Sequence, residues 1–288
     1  MTQPLVKTMT VVGVGLIGGS LARALKAVGA VGRVIGVDCD PQNLQTALTL
    51  GVIDESAASL AAGVCHADLV FIAVPVRSVE GVVAKIASHL PPGCIVTDGG
   101  SVKQELVRQC EALLPAGIHF IGGHPIAGTE RSGAAASFAE LFKGRRCILT
   151  PTAATNQHAL HTVRRLWEAA GSRVECMDPL SHDRVFAAVS HLPHMVAYTL
   201  VHAVAASAEE EENILAFSAG GFRDFTRIAS SDPVMWRDIA LMNSGPLLEL
   251  LDRYATDLEA LRQRVAAGDG PWLEQFFRTS KRLRDEIA

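Results

Sequence analysis

The sequence predicts a mostly parallel, doubly wound α/β sheet followed by an all-helical segment, and three observations predict it. Strand-like apolar runs alternate with amphipathic helical runs from residue 9 to about residue 177. The first strand-to-helix junction carries three spaced glycines. Beyond about Pro179 only the helical period remains, with Leu and Ala on one stripe and Arg, Asp and Glu on the other. The chain has 288 residues and 49% hydrophobic side chains, enough for two domains, which we divide as residues 1–177 and 178–288.

The first strand, Met9-Thr10-Val11-Val12, runs into Gly13, Gly15 and Gly18 and then a helix. Gly13 permits the tight turn, Gly15 lets backbone approach a pyrophosphate, and Gly18 lets helix and strand pack closely, with Leu16 and Ile17 opening the helix whose N-terminus faces the anion. This is a Rossmann-like dinucleotide site by its context, the alternative being a glycine-rich turn of some other α/β protein. A second strand at residues 33–37 ends at Asp38, twenty residues after Gly18. A carboxylate there accepts hydrogen bonds from ribose hydroxyls and repels a 2′-phosphate, so NAD is favoured over NADP. Next come a helix at 41–50, a central strand at 66–75 buried on both faces, an amphipathic helix at 79–90, and a strand at 94–98. A helix at 103–114, strands at 119–121 and 146–149, a helix at 157–170 and a last strand at 174–177 complete the alternation.

A net charge of −4 with scattered basic residues gives no footprint for nucleic acid or an anionic membrane. The six cysteines lie far apart with no CxxC pair, and several fall in apolar runs, which predicts reduced, buried thiols. The N-terminus lacks an apolar signal core, no run approaches about 18 uninterrupted apolar residues, and a cytoplasmic protein is expected. The Glu209–Glu212 run reads as a solvated helix end or loop.

The helical half has long elements at 183–207, 233–266 (interrupted by Asn243-Ser244-Gly245-Pro246) and 271–287. So much apolar surface in so short a segment predicts a homodimer through this half, against the alternative of a compact monomeric bundle.

Chemistry is expected at the carboxyl edge of the sheet, where open α/β folds gather their ligands. Val74-Pro75, the stretch 98–103 with Ser101, and the stretch 122–130 all end strands there and border the expected nicotinamide. His124, on a glycine-rich loop, suits abstraction of a hydroxyl proton, since free imidazole titrates near about 6.5; its other reading is a polar loop residue. His191 and His194 share a helical face around Pro193, which should kink the helix, and they read as a metal pair, a satisfied core pair or substrate contacts. No third ligand stands at a recognisable spacing, which disfavours metal. Arg227 reads as a bidentate carboxylate clamp or as a surface partner of Asp224 or Asp232.

Taken together, the opening stretch 13–22, the turn 97–103, the loop 123–130, the segment 190–194 and the segment 221–229 resemble the prephenate/arogenate dehydrogenase family of tyrosine biosynthesis, over nearly the whole chain. The resemblance implies NAD-dependent oxidative decarboxylation of prephenate to 4-hydroxyphenylpyruvate, with arogenate as a second substrate. It implies that His124 accepts the hydroxyl hydrogen bond, that Ser101 orients hydroxyl or imidazole and borders the coenzyme, and that Arg227 binds a substrate carboxylate. It further implies that His194, Thr129 and Glu130 lie near the substrate side chain, and that Trp236 and Gly220 approach the pocket from the partner subunit in a dimer. Having both His194 and Glu130, the chain resembles prephenate-using or dual-substrate members, although a carboxylate at Glu130 can equally attract the ammonium of arogenate. Lacking a mutase or an ACT-type regulatory segment, it is expected to be monofunctional, with tyrosine competing at the active site. The rival readings are an NAD-dependent dehydrogenase of another small carboxylic acid, of 3-hydroxyacid or pyrroline-carboxylate type, and a non-catalytic NAD-sensing regulator.

Overall fold

The computed structural model describes residues 3–129, 131–207 and 214–287. Its first half comprises β1 (Val6–Val12), α1 (Leu16–Ala27), β2 (Val31–Val37), α2 (Pro41–Thr49), β3 (Glu55–Ser56), α3 (Leu60–Val64), β4 (Leu69–Ile72) and α4 (Val76–Ile86). It continues through β5 (Ile95–Asp98), α5 (Gln104–Leu113), β6 (His119–Pro125), β7 (Arg146–Thr150), α6 (Gln157–Ala169) and β8 (Arg173–Cys176). The sheet order is β3-β2-β1-β4-β5-β6-β7-β8, with every neighbouring pair parallel except β6 and β7. Strand order reverses between β1 and β4, and the crevice outside their carboxyl ends is the ligand position of such sheets.

Period-two alternation assigns β4 to both faces. Leu69 and Phe71 point into one core with Met9, Val11, Leu25 and Trp167, while Val70 and Ile72 point into the other with Val83, Ile86 and Leu106. Trp236 and Ile239 of the helical half join this second core, so that half is seated on the face covered by α4 and α5.

The helical half runs through α7 (Pro179–Phe186), a π-helical turn at Ala187–His191, α8 (Leu192–Ser207), α9 (Gly220–Thr226), α10 (Pro233–Met242), α11 (Ser244–Ala266) and α12 (Gly270–Asp285). Three helices start on the same Asp-Pro device. Asp40, Asp178 and Asp232 each accept a backbone N–H of the first turn, and proline, needing no N–H partner, follows at the first helical position of α2, α7 and α10. The chain changes from sheet to helix between Cys176 and Pro179.

The structure departs from the sequence reading in several places. The segment expected as one helix over 183–207 begins earlier and breaks into α7 and α8. The π turn falls just before Pro193, whose missing N–H and ring exclude a regular α-helical bond to the preceding turn. His124 lies within β6, not on a loop: Gly122, Gly123 and Pro125 are poor strand formers, but antiparallel pairing with β7 holds them extended. A Cβ on Gly122 would meet Thr150 Oγ1 at 2.4 Å, and one on Gly123 would meet the Asp98 carbonyl oxygen at 2.8 Å, so close approach of neighbouring groups explains both glycines. The short elements β3, α3 and α9 carry too few residues to show a period. Of the cysteines, Cys94, Cys110 and Cys147 are buried, but Cys39, Cys65 and Cys176 are exposed; all six are free thiols. The run at 209–212 lies outside the described residues. Among the described residues, no helix is long and apolar enough to cross a membrane.

Candidate active site

The coenzyme end is built by the β1–α1 turn. Gly13 has φ of 90°, and a Cβ there would strike the Ala73 carbonyl oxygen at 2.5 Å; a Cβ on Gly18 would strike the Gly13 carbonyl oxygen at 2.1 Å. Gly15 differs, since a Cβ there would meet nothing within 4 Å. It caps α1 without a side-chain hydrogen bond, and the first turn, opened by Leu16 and Ile17, contains no acidic residue. Bare N–H groups at an uncapped helix start with open space before them suit a phosphate anion. At the end of β2, Asp38 Oδ2 accepts from Val14 N at 2.9 Å and Asn43 Nδ2 at 3.1 Å, while Oδ1 accepts from Asp40 N at 3.0 Å. These bonds fix the carboxylate beside the turn. Val74 and Pro75 lie between β4 and the start of α4, half-buried and exposed respectively.

The next strand end is organised by Asp98. Its Oδ1 accepts from Gly123 N at 3.1 Å and its Oδ2 from Gly100 N at 2.8 Å, and Oδ2 also pairs with Lys103 Nζ. Both side chains of the ion pair are fully buried. One carboxylate thereby ties together β5, the loop bearing the half-buried Ser101, the start of α5 and the strand bearing His124. Asp183, from α7, completes the frame: its Oδ1 accepts from Lys103 N at 2.8 Å and its Oδ2 from Gln104 N at 2.9 Å, capping α5 across the junction of the two halves.

His124 is 8% exposed, and its Nδ1 stands 2.8 Å from Nε2 of the fully buried His182. His182 Nδ1 in turn lies 2.7 Å from Asp183 Oδ1. Phe186 packs on both imidazoles, with ring centroids 4.7 Å from His124 and 4.5 Å from His182. Burial above all, and then the nearby His182 and Lys103, holds His124 well below its ordinary pKa, so the ring is neutral near pH 7. Burial also lowers His182, partly opposed by its bond to Asp183.

A second histidine pair lies beyond. Asn243 Nδ2 donates to the Asp183 carbonyl oxygen at 2.8 Å and faces His191 Nδ1 at 3.0 Å, so Nδ1 of His191 accepts and its Nε2 carries the hydrogen. Burial lowers the His191 pKa to about 4. That Nε2, and Trp236 Nε1, are buried with no hydrogen-bond partner among the described residues. His194 stacks on Trp236 at 3.5 Å between centroids, its Nδ1 against the Ser190 carbonyl oxygen at 2.8 Å. Burial lowers its pKa, opposed by the bond to the Ser190 carbonyl and assisted by the Arg227 charge, and the turn that begins at Arg227 packs on α8.

The structure therefore brings His194, Trp236 and Arg227 into one neighbourhood. Gly220 is exposed at the start of α9, and Thr129 is exposed with its hydroxyl accepting from Arg131 N at 3.2 Å. Glu130 lies outside the described residues. Sequence reasoning missed His182, Asp183 and Asn243. The signal available was a His-Asp pair on the stripe that also carries Phe186 and Ala187, the apolar face of α7.

The nucleotide-binding domain of prephenate dehydrogenases matches residues 21–176, beginning downstream of the glycine turn, and their dimerization domain matches residues 178–279. The prephenate dehydrogenase of Bacillus subtilis (strain 168) is 39% identical over 281 residues, covering 97% of this chain and 76% of that one. The cyclohexadienyl dehydrogenase of Zymomonas mobilis is 39% identical over 279 residues, covering 96% and 95%. The crystal structure of prephenate dehydrogenase from Aquifex aeolicus, in complex with hydroxyphenyl propionate and NAD+, superposes with a TM-score of 0.92 at 39% identity over 98% of both chains. With both domain models matched in order across most of its length, this chain belongs to the prephenate dehydrogenase family.

Proposed function

We propose that the chain oxidatively decarboxylates prephenate to 4-hydroxyphenylpyruvate using NAD, with arogenate as a second, poorer substrate. The observation that carries this reading is the buried neutral imidazole of His124 at the carboxyl edge of the sheet, in a chain whose glycine turn suits a dinucleotide. NAD, when bound, accepts the hydride released from the ring carbon. Gly13, Gly15, Leu16, Ile17 and Gly18 hold its pyrophosphate, Asp38 its ribose, and Val74, Pro75 and Ser101 its nicotinamide end.

The division of labour follows from the chemistry. Loss of carbon dioxide aromatises the ring, so the reaction is strongly downhill and the protein has mainly to align and deprotonate. His124 Nε2 takes the hydroxyl proton as the ring carbon–oxygen bond gains double-bond character. The electron pair of the breaking carbon–carboxylate bond then enters the ring and reaches that oxygen, which recovers the proton from His124. Ser101 orients the hydroxyl, Arg227 grips a substrate carboxylate, and His194 and Thr129 face the side chain where prephenate and arogenate differ, a recognition role that the family resemblance also gives Glu130. Trp236 and Gly220 close the pocket, and tyrosine, bearing the product-like phenol, competes there.

The helical half is read as a homodimer interface: α11 buries only Leu247 and α12 buries nothing, while Leu241, Leu248, Leu258, Val265 and Phe277 are exposed. A dimer by sedimentation at micromolar concentration is expected, and a monomer would refute it. The free thiols fit a reducing compartment, and we assign the cytoplasm.

The test is direct. Purified protein is mixed with NAD and prephenate or arogenate, and NADH is followed by its near-ultraviolet absorbance. Turnover with the higher kcat/KM for prephenate is expected, and a preference for arogenate overturns the substrate order. His124→Asn should lose about 10²–10⁴-fold in kcat with NAD affinity unchanged; a fully active variant removes His124 from the role of base.

A further inference from the structure

We infer that His182 and Asp183 are positioning residues that fix the tautomer of His124, leaving the bare lone pair on Nε2 to meet the substrate hydroxyl. The inference rests on the proposed role of His124 as base and adds how the fold prepares it. Every hydrogen position follows from the donors around Asp183. Its two oxygens accept the backbone N–H groups of Lys103 and Gln104, which makes this carboxylate an acceptor on both sides. His182 Nδ1, 2.7 Å from Oδ1, must then donate. In a neutral imidazole the other nitrogen is an acceptor, so His182 Nε2 presents a lone pair at 2.8 Å to His124 Nδ1, which must carry the hydrogen. Neutral His124 is left with an unprotonated Nε2.

The remaining titratable groups near the pair are held elsewhere. Lys103 and Asp98 are bound to each other, and His191 is engaged by Asn243. Phe186, against both rings, opposes their rotation. When His124 takes the hydroxyl proton, its Nδ1–H is already directed at His182, whose own N–H is directed at a fixed carboxylate, so the new positive charge forms in a preorganised environment. The arrangement has the logic of an Asp-His pair behind a base, with a second histidine interposed. Nothing in the sequence spacing of His124 and His182 suggests it, because α7 comes from the other half of the chain.

The wild-type protein alone tests the tautomer. Histidine-labelled protein observed by long-range proton–nitrogen correlation near pH 7 should show His124 protonated at Nδ1 and bare at Nε2. A protonated Nε2 in that spectrum overturns the inference while leaving the reaction itself untouched. Kinetics supply the second arm. His182→Leu should lower kcat about 10²-fold, with KM for prephenate and NAD each within about threefold of wild type. His182→Gln, whose amide oxygen can accept from His124 Nδ1, should recover about tenfold of that loss. Wild-type kcat in His182→Leu, or a loss that Gln fails to relieve and that tracks a lowered thermal midpoint, refutes the positioning role. Absence of turnover in the wild type, with the Nδ1–H signal present, instead refutes the reaction proposed for His124 and with it the catalytic meaning of the tautomer.

Discussion

Lys103 and Asp98 form an ion pair with no exposure of either side chain, at the point where the β5–α5 loop, α5 and β6 converge. Desolvating two charges is costly, and the pair persists because Gly100 and Gly123 also donate to the carboxylate. Lys103→Met leaves Asp98 buried without its cation and should destabilise the fold by about 3–5 kcal/mol, read as a lowered urea midpoint. The double variant Asp98→Asn, Lys103→Met should regain part of this, because the uncompensated charge is gone.

Gly13 and Gly15 should separate architecture from ligand. Gly13→Ala forces a Cβ against the Ala73 carbonyl oxygen at a positive φ, and a loss of about 1–3 kcal/mol is expected by denaturation. At Gly15 a methyl meets open space, so Gly15→Ala should keep the thermal midpoint within about a degree or two while weakening NAD several-fold in a fluorescence titration. Equal NAD affinity for Gly15→Ala and wild type would remove the turn from the cofactor site.

Stability should fall in mild acid. His191 stays neutral in the native state down to about pH 4, whereas in the unfolded chain it takes a proton near its ordinary value of 6.5. Between those two values the unfolded state binds more protons, so stability is complete above the upper one and is lost as pH falls toward the lower, by about 3 kcal/mol at most. His124 and His182, also depressed by burial, act in the same direction. Urea midpoints taken at intervals across this window should decline, and His191→Asn should flatten the slope.

Arg227 is exposed on the turn after α9, and its charge reaches His194. Arg227→Ala should reduce kcat/KM for prephenate by about 10–100-fold, the worth of a charge-assisted bond of about 1.5–3 kcal/mol, mostly through KM. NAD affinity should not change. An unaltered KM for prephenate would assign Arg227 to a surface contact.

Much of the nucleotide half was legible because its elements announce themselves locally. The β-branched runs ending at Val12 and Val37, the glycine turn between Gly13 and Gly18, and the start of α2 at Pro41 are each fixed by residues within a few positions of one another. His124 was recognisable as a reactive candidate but was misplaced onto a loop, since only the partner strand β7 makes Gly-Gly-His-Pro extended.

By itself, the sequence determined the alternation of strand and helix, the glycine turn with Asp38 after it, and the passage to helices beyond Cys176, all properties of short-range period and capping. Tertiary structure alone decided that Asp183 caps α5, that His182 touches His124, that Asp98 buries Lys103 and that His194 lies on Trp236. Those contacts join residues from separate elements, several of them across the two halves of the chain. Their geometry is set by how a helical unit seats on one face of a sheet, and burial, which gives the imidazoles their neutral state, exists only after that seating.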